Sequence, residues 1–163
     1  LVRPWVIPHA LDAMNVRDSW GVISTGNVAI IDEDFHRRAQ EFPTIITVLM
    51  DRVVARSRWL GFHVAVCQLP RVDHRLLLVF RYAAERWGTT TDNGIKIPIR
   101  LSHRSLAALI GARRPSVTSA IGALTEQGLL QRSQDGTWTF FAGDVDPMAV
   151  LAGMEDLPGR LTA

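Results

Sequence analysis

Apolar positions fall into helical stripes over most of this chain and change to strict alternation only near its C-terminal third. The longest stripe runs from Pro43 to Leu69. Within it Ile46, Met50, Val53, Ser57, Leu60, Val64 and Cys67 follow alternating spacings of four and three, the a/d seam of a two-stranded coiled coil. Asp51, Arg52, Arg56 and Arg58 lie off that line. A core helix presents such a stripe too, but Trp59 and Phe62 flank this one and add more apolar surface than a single seam uses. The seam is therefore expected to face a second copy of the chain, and the aromatics the chain's own domains. Upstream, Asp32-Glu33-Asp34 caps a short helix ending near Phe42, with Phe35 and Ala39 inward, and Pro43 opens the long one. Leu69-Pro70 ends it. A further helix from Asp73 to Trp87 places Leu76, Leu77, Phe80 and Ala84 on one face and stops at Gly88; Arg75, Arg81 and Arg86 are expected in solvent, with phosphate as the alternative.

Period two appears next. Asp92-Asn93-Gly94 turns the chain, and Ile95, Ile97, Ile99 and Leu101 alternate as a strand whose Pro98 suits a sheet edge. From Arg100 to Phe141 the pattern is that of a winged helix-turn-helix. Ser102 caps a short helix with Leu106, Leu109 and Ile110 on one face, and Gly111 supplies the reversal. Pro115 fits only the first turn of a second helix, whose Val117, Ile121 and Leu124 form a buried face and which stops at Gly128. Leu129 to Arg132 and Thr137 to Phe141 then pair as a hairpin across Asp135-Gly136, a type I′ signal. That hairpin is the wing.

The second helix turns Arg114, Thr118, Ser119, Gly122 and Thr125 outward, a small and polar face that is basic at its N-terminal end, as entry into a major groove requires. Between Ile95 and Phe141 stand Lys96, Arg100, Arg104, Arg113, Arg114 and Arg132 against only Glu126 and Asp135. The whole chain carries a formal charge of just +2, so this segment holds most of the positive excess and points to double-stranded DNA.

At these residues the sequence resembles the C-terminal domain of the Crp/Fnr superfamily of bacterial transcription regulators. The match runs through Leu101-Ser102-His103-Arg104-Ser105-Leu106-Ala107, Gly111-Ala112-Arg113-Arg114-Pro115-Ser116-Val117-Thr118 and Glu126-Gln127-Gly128-Leu129-Leu130, in the family's order and spacing. The resemblance implies that Arg114 reads guanine and that Ser116 contacts phosphate. The DNA-binding set it defines, with the neighbouring basic and polar side chains, is Ser102, His103, Arg104, Arg113, Arg114, Pro115, Ser116, Thr118, Ser119 and Arg132. Two positions depart from the family: Pro115 stands where a base-reading Glu is common, and Ser119 where a second Arg is common. The operator thus need not follow the best-known family sites. The resemblance also makes the long helix the dimer axis and the source of polar contacts to a cyclic nucleotide's base. Those positions fall on Leu60 and Gly61, whose side chains cannot hydrogen-bond. The family's Gly-Glu and Arg-Ser-Ala phosphate cradle has no counterpart near Arg3-Pro4-Trp5 or Arg17-Asp18-Ser19-Trp20. Cyclic AMP is not expected to bind, and no pattern identifies another effector.

With 163 residues and 47% hydrophobic content the chain can bury a core. Lys96 is the sole lysine among eighteen Lys and Arg residues, and arginine is the better bidentate partner for phosphate and guanine. Cys67 is the one cysteine, which excludes a disulfide framework, a cysteine-held cluster and a cysteine-based zinc site and suits a reducing cytoplasm. A lone His9 does not make a metal or haem site, and no cofactor is expected. No run approaches a membrane span and the N-terminus lacks the basic-then-apolar layout of a signal peptide, while a start at Leu1 reads as a processed product or a fragment. No HExxH, Walker loop or nucleophile–base pattern suggests an enzyme.

The fold expected is α+β and mainly helical. Residues 1–32, with β-like runs at Ser19 to Ser24 and Val28 to Ile31, read as a partial effector β-roll; 33–69 as connecting and dimerisation helices; 70–141 as the winged helix-turn-helix; and 142–163 as an acidic tail with a brief helix from Pro147. The expected function is that of a dimeric, sequence-specific transcription regulator acting on two half-sites, with RNA polymerase left open as a further partner. A winged-helix protein-interaction module is the alternative.

Overall fold

A computed structural model describes residues 31–141 and 146–151. The runs expected within residues 1–30 and most of the acidic tail lie outside them. The chain divides into two compact units, Leu1–Gly61 and Phe62–Ala163.

In the first unit α1 spans Glu33–Ala39. The Asp32 carboxylate accepts from the Phe35 N–H at 2.8 Å, and the acidic first turn and basic last turn both favour the helix dipole. Phe35 is half-buried and Ala39 buried. Helix α2, Pro43–Gln68, begins in this unit and ends in the second. Its seam side chains Ile46, Met50, Val53, Ser57, Leu60 and Val64 are all exposed, and Cys67 is half-buried. No helix among the described residues is long and apolar enough to cross a membrane.

The second unit is organised on α3, Val72–Trp87. Expected to bury one stripe, it instead buries His74, Leu76, Leu77, Leu78, Val79, Phe80, Ala83 and Ala84. A helix enclosed on most sides serves as the core's axis. It packs against α4 (His103–Ile110), α5 (Arg114–Glu126) and a sheet. The strands are β1 (Thr89–Thr91), β2 (Gly94–Ile97), β3 (Leu130–Arg132) and β4 (Trp138–Phe140), antiparallel in the order β1-β2-β4-β3. Short α6, Pro147–Leu151, follows. Trp138 and Phe80 meet at 5.1 Å between ring centroids in the middle of this core, and the Trp138 indole N–H donates to the Leu101 carbonyl at 3.0 Å.

Four expectations change. The sequence pattern does not foretell β1, and its pairing Thr89↔Lys96 through Thr91↔Gly94 makes β2 an interior strand. Pro98 therefore does not mark an edge; β2 ends at Ile97, and the proline follows where no ladder donor is needed. Gly88 does stop α3, but with φ −70 rather than a left-handed backbone. The need there is space: a Cβ would meet the Ala84 carbonyl oxygen and the Ile95 Cγ2 at 2.3 Å each. The wing turn is one residue longer than type I′. Ser133 N–H bonds the Thr137 carbonyl and Gly136 N–H the Ser133 carbonyl, leaving Gln134, Asp135 and Gly136 as the loop, with Gly136 at φ +82. The Asp135 carboxylate accepts from the Thr137 hydroxyl and N–H, and these bonds, with Lys96 nearby, hold it below the usual carboxylate range.

Arg75 is the fourth. It is neither solvated nor phosphate-facing. Its Nε donates to the Leu69 carbonyl at 2.6 Å and its Nη1 to the Ile110 and Gly111 carbonyls at 3.1 and 3.4 Å. One guanidinium thus serves carbonyls at the ends of α2 and α4, groups that a helix cannot satisfy itself. Arg75→Met keeps the aliphatic stem and removes the donors. It is expected to lower stability by about 1–3 kcal/mol in urea denaturation, and a variant as stable as the parent would deny the clamp its importance.

Candidate nucleic-acid interface

The turn between α4 and α5 is built by local chemistry. Ser102 Oγ accepts from the Ser105 N–H at 3.0 Å to start α4, and Gly111, at φ +63, returns its N–H to the Ala107 carbonyl to end it. Arg113 precedes α5 in extended conformation, and Pro115 occupies its first turn. Val117, Ala120, Ile121 and Leu124 then point into the core. The opposite side, Arg114, Thr118, Ser119, Gly122 and Thr125, is exposed.

Five of the expected DNA-binding residues come together. Ser102, His103, Arg104, Arg114 and Arg132 line an open cleft of about 460 Å³, drawing one wall from α4, one from α5 and one from β3. Arg113, Pro115, Ser116 and Ser119 are exposed on or beside the first turns of α5 but do not line it. Thr118 joins the cleft's wall from behind, through His103. Among the described residues Arg104, Arg113, Arg114 and Arg132 take part in no ion pair. Lys96 differs, lying 3.6 Å from Asp135.

His103 links three elements. Its Nδ1 lies 3.0 Å from Thr118 Oγ1 on α5, and its ring centroid 6.3 Å from that of Trp138 on β4. Thr118 Oγ1 also lies 3.1 Å from the Arg114 carbonyl, which can only accept; with the hydroxyl proton given there, Thr118 accepts from His103 and the imidazole proton sits on Nδ1. Burial, then the charges of Arg132 and Arg114, push the His103 pKa down, which favours the neutral ring. Arg132 itself lies over the Trp138 ring at 5.6 Å to the centroid. Trp138 is not among the expected site residues, yet it supports two of them. Its signal in the sequence is only that of a core residue on a short strand.

Of the residues expected on the dimer seam, Ile46, Met50, Val53, Ser57, Leu60 and Val64 are exposed on α2, while Cys67 is half-buried, its Sγ 3.8 Å from His63 Nε2 and that same nitrogen 2.6 Å from the Leu109 carbonyl. No group of three or more His, Cys, Asp or Glu among the described residues is placed to hold a metal ion.

Residues 71–140 match the Crp-like helix-turn-helix domain. In curated proteins the chain is 26% identical over 85 residues to ycf28 of Porphyra purpurea, whose name describes a putative HTH-type transcriptional regulator; the match covers 52% of this chain and 36% of that one. The fold is similar to that of a CooA mutant from Carboxydothermus hydrogenoformans, at TM-score 0.61 and 19% identity, covering 75% of this chain and 54% of that one. It is also similar to OCPA-complexed CprK, at 0.55 and 15%, covering 76% and 54%. A CRP/FNR-family transcriptional regulator of Thermus thermophilus gives 0.50 and 17%, covering 70% and 56%. The chain spans little more than half the length of these structures and about a third of the curated relative. Residues 71–140 thus carry a Crp-like helix-turn-helix domain, and the fold is similar to that of these regulators.

Proposed function

We propose that the chain is a sequence-specific, DNA-binding transcription regulator that works as a homodimer on a two-half-site operator. In this reading α5 enters the major groove, α4 crosses the backbone, and the β3–β4 wing flanks it. The observation that carries it is the cleft, where three arginines that pair with no carboxylate among the described residues converge beside the small, exposed face of α5. Permanent cations without internal partners are costly to gather unless an anion completes them. DNA supplies anions in a regular row.

Arg114 and Arg104 have different tasks. Arg114 opens the first turn of α5, where a planar fork can bond the O6 and N7 of one guanine. Arg104 sits on α4 and meets phosphate. Arg114→Ala is expected to lose ~1–3 kcal/mol on the cognate site and to relax preference at one base pair per half-site. Arg104→Ala is expected to weaken all sequences alike and to reduce the log–log salt slope by ~0.9 for each phosphate left without its cation. Randomised-site selection and titration at several salt concentrations read both. Unchanged base preferences in the Arg114→Ala protein would remove α5 as the reader, and salt-independent capture of a protein without any DNA shift would replace the regulator with an interaction module.

A further inference from the structure

The cleft holds one group that a purely electrostatic anchor does not need. Arg104 from α4, Arg114 from α5 and Arg132 from β3 already give it three permanent charges, with the Ser102 hydroxyl beside them and no carboxylate in its lining. The remaining wall is an imidazole. From β4 only the uncharged Trp138 ring approaches it. Its Nδ1 lies 3.0 Å from Thr118 Oγ1, and in the arrangement where the Thr118 hydroxyl gives its proton to the Arg114 carbonyl, 3.1 Å away, Nδ1 carries the proton toward Thr118. In the neutral ring Nε2 is then a lone pair, an acceptor.

A phosphodiester offers acceptors only. A phosphate oxygen entering beside neutral His103 meets a repulsive lone pair, whereas a proton on Nε2 converts that contact into a charge-assisted hydrogen bond. The phosphate also brings the negative charge that offsets Arg132 and Arg114, the two cations that oppose protonation in the free protein. We propose that this cleft seats one backbone phosphate of DNA and that His103 takes up a proton as the phosphate enters, one proton for each DNA-binding domain. The inference rests on the DNA-binding function proposed above. It adds that the chain's grip on DNA is coupled to pH by a residue that touches backbone rather than bases, so the coupling is the same for every sequence.

The sign follows from linkage. The bound state holds more protons than the free state between the lowered pKa of the free ring and the raised pKa of the occupied one, so affinity falls as pH rises through that window. The limiting slope of log K against pH is minus one per domain, about tenfold per pH unit. The test is titration of a fluorescent duplex carrying the selected operator, and of a scrambled duplex, from about pH 5.5 to 8.5 at fixed ionic strength, a range that brackets the ordinary histidine pKa. The parent protein is expected to show the negative slope on both duplexes. His103→Asn, which keeps a donor for Thr118 but does not titrate, is expected to lose it. Calorimetry of the parent in buffers of different ionisation enthalpy counts the protons directly and is independent of any variant. A flat parent profile accompanied by normal salt-dependent DNA binding would overturn the proton uptake alone, as would a slope that survives in His103→Asn. Absence of DNA binding at every pH and salt would overturn the DNA-binding function and this inference together.

Discussion

Replacement of Trp138 by alanine is expected to cost the second unit about 3–5 kcal/mol, the range for deleting a large buried aromatic ring. Trp138 is fully buried, packs against Phe80 and donates to the Leu101 carbonyl. The alanine variant loses the apolar burial, opens a cavity beneath β4 and leaves that carbonyl without its donor. Against a typical domain stability of about 5–15 kcal/mol this is a large fraction, so the variant is expected to unfold at markedly lower urea concentration. Trp138→Phe separates the contributions: it restores most of the ring but not the N–H, and should recover all but about 1–3 kcal/mol. The effect extends to the cleft, because Arg132 and His103 both lean on the indole. An alanine variant within about 0.5 kcal/mol of the parent would show that β4 is not part of the core.

Leu60→Glu is expected to convert the homodimer proposed above to monomers by light scattering. Leu60 is 45% exposed in the isolated chain, and its seam neighbours Met50 and Val64 are 57% and 59% exposed. A row of exposed apolar side chains on one helix, interrupted only by Ser57, is a surface that association would cover. Two glutamates facing each other across such a seam would each lose hydration with no cation on the seam line to compensate. Operator affinity is expected to fall with the dimer, by ~10²–10⁴-fold, because the second half-site would no longer be engaged at high effective concentration. A mass that stays dimeric would place the interface elsewhere.

Much of the second unit is legible in the sequence because short-range chemistry builds it. Ser102, Gly111 and Pro115 each allow few backbone states, and together they locate α4 and α5 closely. Asp32 and Pro43 do the same for α1 and α2. What escapes is made by partners distant along the chain. The three threonines of β1 have no periodicity of their own and become a strand only through β2. Arg75 looks like any helix-surface arginine until the fold brings carbonyls from 35 and 36 positions away to its guanidinium. The bond from His103 to Thr118 crosses 15 positions, and the support from Trp138 crosses more. The wing turn differs for another reason. Asp-Gly serves both a two-residue loop and a three-residue loop with left-handed glycine, and the pairing of Ser133 with Thr137 decides between them.

The central pairing of the sheet, Ile95↔Phe140 through Ile97↔Trp138, ties together the two ends of the segment that contains α4 and α5. Helices α4 and α5 are thus enclosed in a long loop whose closure costs chain entropy before any sheet contact repays it. Helix α4 and its turn into α5 involve neighbours only and can form early, while β2 and β4 must wait for that closure. The transition state for folding is then expected to contain the helices docked on α3 with the wing still open. Mutations in the wing would speed unfolding, and those between α3 and α5 would slow folding. In native-state hydrogen exchange the amides of β2 and β4 would open together, as one cooperative unit whose opening undoes the loop without melting the helices inside it.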